Sequence, residues 1–296
     1  MYSTARLGPA DQEHSTVRMA SDREVANAEC SPDGRRIAMD MRTEGQSDIW
    51  VYDWDRDTLN RLTFDPTNED FPVWTSDDTR IVYRSFKSAV DAAGYSIAWR
   101  RADGTGGEQV LVHDTVALRA GAWHPKMNVL AYVRSQTASD DDILLLSVEG
   151  NEVQGWTPKR PTVWLRTPAG ERTPAFSPDG SWISYTSDES GPNQVYVRPF
   201  SGAGPRVTVS PDGGDNSSWS SAGAELLFAG RGSDYQGRLM VVRYGTQDGT
   251  VHFDKPRPWA ERSVGLRSLR SDRTYALHPD GARVAIAPPS ESRHDP

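Results

Sequence analysis

A tight polar turn, Ser177-Pro178-Asp179-Gly180, lies between two short apolar runs, and the chain carries six versions of it. Each residue of the turn has a conformational reason to be there. Proline fixes φ near the value that the second position of a type I turn requires. Aspartate accepts hydrogen bonds from nearby backbone N–H groups, and glycine supplies φ > 0 without a Cβ penalty. A type I turn followed by a left-handed residue is a standard hairpin closure with a bulge. The unit therefore reads strand, turn, strand.

The turns begin at Ser31, Thr75, His124, Ser177, Ser220 and His278, at intervals of 43–58 residues. Full copies stand at Ser31-Pro32-Asp33-Gly34 and Ser177-Pro178-Asp179-Gly180, and His278 leads Pro279-Asp280-Gly281. The residue before the turn is Cys30, Trp74, Trp123, Phe176, Trp219 or Leu277. After it come pairs of large residues two apart, as in Ile37 and Met39, Ile81 and Tyr83, Ile183 and Tyr185. That alternation marks a strand with buried faces. A third strand follows in five repeats, for example Ile49-Trp50-Val51 and Val195-Tyr196-Val197, and then a weaker fourth. The fourth includes Thr162-Val163-Trp164 and, in the fifth repeat, His252-Phe253.

Short strands at a period of 40–50 residues are the mark of propeller blades. The expected fold is all-β: a six-bladed β-propeller of four-stranded antiparallel blades. The expected blades are 24–67, 68–115, 116–168, 169–212, 213–262 and 263–287. The sixth stops after its second strand, and an open propeller would expose sheet edges. Either the N-terminal segment 1–23 closes it, with residues 15–19 the best strand candidate, or the last blade is incomplete. Residues 288–296 read as a disordered tail.

The repeat core, a large aromatic residue followed by Ser-Pro-Asp-Gly and a β-branched run, resembles the WD40-like, TolB-type propeller repeat. Similar repeats occur in TolB, in the propeller of prolyl oligopeptidases and in the C-terminal domains of bacterial eukaryotic-type serine/threonine kinases. Arg61-Leu62-Thr63-Phe64-Asp65, Pro72-Val73-Trp74, Thr186-Ser187-Asp188-Glu189-Ser190-Gly191 and Val195-Tyr196-Val197-Arg198-Pro199-Phe200 look closest to the kinase subgroup. The resemblance covers residues 24–287. It implies a propeller and a regulatory or sensor role, not a kinase. The chain has no Gly-rich loop with a Val-Ala-x-Lys strand, no His-Arg-Asp loop and no Asp-Phe-Gly.

Composition narrows the function classes. The formal net charge is −8 and no Lys/Arg-rich run is present, so nucleic-acid binding is not expected. No apolar run reaches the roughly 18 residues of a membrane helix, so no membrane insertion by this chain is expected. The single cysteine, Cys30, allows no intrachain disulfide and reads as a small buried residue. No Gly-x-Ser-x-Gly elbow occurs, and the six histidines form no zinc spacing. The chain is therefore expected to be no enzyme, with no cofactor and no metal. His124 and His278 replace the turn serine, where an imidazole can accept a backbone N–H. Asp140-Asp141-Asp142 reads as a solvated charge run. Trp74, Trp123 and Trp219 read as packing between blades. A chain complete as it stands would be cytoplasmic; a fragment of a membrane kinase would lie outside the cytoplasm.

The remaining candidate site is the loop face opposite the turns, where propellers usually bind partners. Arg42, Arg84, Arg134 and Arg231 follow the second strand of four blades, and Asp188 and Glu189 join them. Asp70, Asp114, Arg119, Glu171, Arg172 and Asp215 fall on the same side. The expected role is a scaffold or sensor module binding a protein, peptide or small polar ligand there. The alternatives are a detached regulatory propeller of a bacterial serine/threonine kinase, and a propeller hydrolase or lyase with a channel site.

Overall fold

A computed structural model describes residues 2–7, 13–19, 24–87, 94–137, 140–231, 237–260, 273 and 275–286. The expected tail 288–296 and most of segment 261–274 lie outside the described residues. Among the described residues every element is a strand, and the strands form six antiparallel sheets.

The first sheet runs Glu24–Cys30, Arg36–Thr43, Gln46–Asp53, Thr58–Arg61. The second runs Asn68–Trp74, Arg80–Lys87, Gly94–Arg101, Gln109–Asp114, and the fourth Glu171–Phe176, Trp182–Ser187, Gln194–Pro199, Val207–Thr208. The third and fifth begin in the same way, at Ala117–Trp123 and Gly214–Trp219, and have long third strands, Asp140–Asn151 and Leu239–Gln247. Each long strand takes two outer partners. Thr162–Leu165 pairs near the start of the first, and Gly155–Pro158 pairs along its extension. In the fifth sheet Thr250–Phe253 pairs the extension while Arg257–Pro258 takes the place of the ordinary fourth strand. His252 and Phe253 thus belong to an added hairpin rather than to the blade edge.

The sixth sheet draws on both ends of the chain. Tyr275–Leu277 pairs Arg283–Ile286, which pairs Tyr2–Leu7, which pairs Glu13–Met19. The strand next to Arg283–Ile286 is thus Tyr2–Leu7, and residues 15–19 lie in the outermost strand.

Alternation buries residues on both faces of the sheets, and the buried side chains gather at the junctions between neighbours. Ala38, Ile49, Trp74, Ile81 and Tyr83 join the first two sheets. Trp99, Leu111, Trp123, Leu130 and Tyr132 join the second and third. Tyr185 and Tyr196 meet Val133 and Ile143, Val197 and Trp219 meet across the next junction, and Val241 meets Val284 and Tyr275. Ala276 and Ala285 of the sixth sheet pack on Val25, Cys30, Ile37 and Met39 of the first, which closes the ring.

The turns bond as their residues suggest. The Ser177 hydroxyl donates to Asp179 Oδ1 at 2.5 Å and accepts from Trp182 N at 3.0 Å. Ser31 repeats this with Asp33 at 2.6 Å and Arg36 N at 2.9 Å. In the histidine turns Nδ1 is the acceptor, from Lys126 N at 3.0 Å and from Asp280 N at 3.1 Å. Nε2 faces the next turn: His124 Nε2, left to carry the proton, donates to Gly180 O at 3.3 Å, and His278 Nε2 lies 2.9 Å from Gly34 O and 2.8 Å from Arg283 Nη2. Asp78 occupies the glycine position with φ 59° and accepts from Asp33 N at 3.1 Å.

At Gly180 glycine is required twice over. Gly180 has φ +77°, and a Cβ there would stand 2.5 Å from the His124 ring. Gly180→Ala should lose at least about 1 kcal/mol from the left-handed backbone alone, and more from the contact. Gly223, with open space around its Cβ position and no left-handed φ, should tolerate Ala within about 0.5 kcal/mol. Urea unfolding of both variants checks this.

Candidate functional site

The first strands of all six sheets line one axial cavity of about 310 Å³. Its walls carry Trp74, Trp123, Phe176, Trp219 and Tyr275. Each turn contributes its second residue to the mouth, Pro32, Ser76, Pro125, Pro178, Ser221 and Pro279, and Ser177 and His278 also reach the lining. The turn that marks the repeat therefore also frames the opening.

Indole N–H groups tie the walls together. Trp74 Nε1 donates to Glu29 O at 3.0 Å, and Trp219 Nε1 to Ala175 O at 3.2 Å and to Ser184 Oγ at 2.9 Å. Glu29 and Ala175 hold the same repeat position in the preceding blade, so each bond crosses a blade junction. All three tryptophans are buried, at 2–8% exposure, and also show an edge to the cavity.

The first strands are not regular. In five blades the ladder to the second strand slips once, at Val25/Ala28, Asp70/Val73, Ala120/Ala122, Arg172/Ala175 and Asp215/Ser218. These are β-bulges, which bend a strand and free backbone groups from the ladder. Phe71, Thr173 and Asn216 take left-handed φ of 48–55° inside them. Asp40 secures the bulge of the first blade: its buried carboxylate accepts from Asn27 N at 3.0 Å, Asn27 Nδ2 at 2.7 Å and Phe71 N at 3.1 Å. Burial, reinforced by the Asp70 charge, pushes this carboxyl up to about 6.

Arg273 enters the cavity from the sixth blade. Its Nη1 donates to Glu29 Oε2 at 2.8 Å and Pro72 O at 3.1 Å, and its Nη2 to Gly121 O at 2.5 Å and Ala120 O at 3.2 Å. Burial raises the Glu29 carboxyl against the opposing pull of this guanidinium.

The loop-face residues are placed differently. Arg42 is exposed at the far end of its strand. Arg84 forks onto Asp70, with Nε to Oδ1 at 2.6 Å; Arg134 bonds Asp114 at 2.7 Å; Arg231 bonds Asp215 at 2.5 Å. Asp188 accepts from Gly170 N at 2.9 Å and pairs with Arg172 at 3.3 Å, and Glu189 pairs with Arg206. None of Arg42, Arg84, Arg134, Arg231, Asp188 and Glu189 lines the cavity. Ser31, Asp33, Gly34, Asp179, Gly180, Asp280 and Gly281 serve the turns behind the rim.

Asp140-Asp141-Asp142 is not a solvated run. Asp141 and Asp142 are 3% and 0% exposed. Asp141 bridges Arg119 at 2.7 Å and Arg172 at 2.5 Å, joining the third and fourth blades, and Asp142 bonds Arg166 at 2.8 Å. Asp141→Asn would leave the largely buried Arg119 guanidinium without its carboxylate and Arg172 with Asp188 alone, and urea unfolding should show a loss of about 3 kcal/mol.

Glu69 and Glu171 hold one repeat position, two residues before the left-handed bulge residue. Both are buried, each with one oxygen bonded by a threonine hydroxyl, Thr67 and Thr167. Burial pushes each carboxyl from 4.5 up to about 7. Between these values the folded chain holds protons that the unfolded chain has released, so stability falls as pH rises from 4.5 to 7. Each residue should contribute on the order of 3 kcal/mol to that fall. Glu69→Gln and Glu171→Gln should each flatten it, measured as urea midpoints between pH 4.5 and 8.

Among the described residues no group of three or more His, Cys, Asp or Glu is placed to hold a metal ion. Cys30 is buried as a free thiol, and burial pushes it up to about 12. Also among the described residues, no helix is long and apolar enough to cross a membrane.

No family model matches the chain. Solved structures do. A protein assigned as TolB from Agrobacterium tumefaciens superposes with TM-score 0.66 at 16% identity, covering 96% of each chain. TolB from Acinetobacter baumannii gives TM-score 0.61 at 14% identity over 96% of this chain, which spans 63% of that one. A chain of the nidogen/laminin complex gives TM-score 0.59 at 9% identity, covering 82% of this chain and 88% of that one. At these identities the likeness establishes the architecture: the chain is an all-β propeller of the kind seen in TolB.

Proposed function

We propose that this propeller is a non-catalytic binding scaffold that takes an extended peptide segment of a protein partner into its axial cavity from the turn end. The observation that carries the reading is the mouth itself, to which every blade contributes the second residue of its turn. Aromatic walls offer apolar surface to side chains, and the serines of the rim and of the inner strands offer hydroxyl groups to a peptide backbone. A cleft with rigid walls loses little entropy on binding, because first strands paired within their sheets are already fixed. A chain of similar fold occurs in a complex of two proteins, nidogen and laminin. The loop face is the weaker candidate, since Arg84, Arg134 and Arg231 are each committed to a carboxylate within the chain.

The kinase-regulatory reading rests on the repeat signature at Arg61-Leu62-Thr63-Phe64-Asp65 and Val195-Tyr196-Val197-Arg198-Pro199-Phe200. It is compatible with a peptide-binding cavity. A kinase domain encoded in the same frame would support it.

Site-directed blocking separates the two faces. Peptides selected from a random library on the wild-type protein should lose binding when a bulky maleimide is attached at Ser221→Cys on the mouth. They should keep it when the same label sits at Arg42→Cys. The buried native thiol of Cys30 is a poor competitor for the reagent. The opposite pattern would return the site to the loop face. Turnover of a substrate, abolished by a side-chain change in the cavity, would overturn the non-catalytic reading.

A further inference from the structure

The carbonyl groups that Arg273 binds are not scattered. Pro72 and Gly121 hold one repeat position, two residues before the large residue that precedes each turn. Both lie at the bulge of their first strand, where the ladder slips. The bulge turns these carbonyls to the axis, Ala120 O stands beside Gly121 O, and the Glu29 carboxylate completes the set from the first blade. Three adjacent blades thus present three carbonyls and one carboxylate to a single planar cation. That donor-seeking geometry suits a guanidinium, whose fork of N–H groups meets several acceptors at once.

The cage does not depend on Arg273 for its shape. Its acceptors sit on strands that are hydrogen-bonded to their own second strands. Arg273 itself precedes the strand Tyr275–Leu277 and belongs to no ladder; its backbone N–H donates to Asn27 Oδ1 at 2.8 Å. Withdrawing it would break no sheet pairing. Both partners face open space in the cavity, the Arg273 and Glu29 side chains being 18% and 30% exposed. Among the described residues they are also the cavity's only arginine and only carboxylate, so removing the guanidinium leaves the Glu29 charge unpaired among tryptophan walls, which favour a cation.

We propose that this cage is a guanidinium-binding site filled in cis by Arg273, and that the peptide taken into the cavity carries an arginine whose side chain displaces it. The peptide part rests on the function proposed above; the cage stands on its own contacts. Arg273 then acts as a built-in competitor that keeps the site closed to weaker cations.

Chemical rescue tests the cage separately from the peptide. In full-length Arg273→Ala, millimolar ethylguanidinium should raise the thermal midpoint and change tryptophan fluorescence saturably. Neither should occur in the wild type or in the double variant Glu29→Gln/Arg273→Ala, with potassium chloride as the ionic-strength control. Equal response in the double variant, or none in the single one, would overturn the site. If Arg273→Ala does not fold, Arg273→Gln gives the same comparison. For the peptide, acetyl-Gly-Arg-Gly-amide should bind Arg273→Ala at least about tenfold more tightly than wild type, because the competing occupant is gone. Its citrulline counterpart should bind neither. Equal affinity of the arginine peptide for both proteins would overturn displacement in cis, while rescue without peptide binding would leave the cage and remove the peptide.

Discussion

A sheet that is apolar on both faces cannot stand at an end. Each sheet here carries buried side chains toward the neighbour on either side, and each junction holds its own cluster. The arrangement satisfies every face only as a closed ring, so the sixth sheet must be finished. The chain finishes it with its own beginning, laying Tyr2–Leu7 on Arg283–Ile286. Closure protects the strand edge that would otherwise template aggregation. It also fixes six first strands around one axis, and the cavity is a consequence of that constraint.

The turn does two jobs because turn and cavity mouth are at the same end. Its serine or histidine satisfies backbone N–H groups, and its glycine lets the neighbouring turn approach, as Gly34 and Gly180 do beneath the imidazoles of His278 and His124. Its second residue is then left to face the axis. Proline at four of these six places gives a rim that is stiff and has no N–H to satisfy. The same local chemistry that ends one strand and starts the next builds the opening.

The repeat was legible because it is local: turn residues, the large residue before them and the alternation after them all lie within about ten positions of one another. The histidine acceptors could be inferred for the same reason. The cavity site could not. Phe71 and Thr173 adopt left-handed backbone with no glycine to announce it, although proline follows both of them. Arg273 sits in no motif and meets partners more than 150 residues away. Asp141 and Asp142 looked solvated because three adjacent carboxylates usually are. Burial became possible only when Arg119, Arg166 and Arg172, from three other strands and loops, arrived at the same place. The added hairpins of the third and fifth blades were hidden for a related reason, since a long third strand does not reveal which part of it the next strand will pair.

The charges of the molecule divide into two groups with different consequences. Away from the axis, Arg84, Arg134, Arg172 and Arg231 are held by carboxylates, so they cross-link strands and blades and add little net field. At the axis the balance is struck mainly by backbone. Among the described residues a single carboxylate faces a single guanidinium there, and the other acceptors that Arg273 meets are carbonyl dipoles at the bulges. Dipoles fixed in this way cannot reorient to greet an anion. Carbonyls held this way call for hydrogen-bond donors, and the Arg273 guanidinium supplies them to Pro72, Ala120 and Gly121 at once. The bulges, which look like faults in the first strands, are therefore what gives the axis a chemical preference.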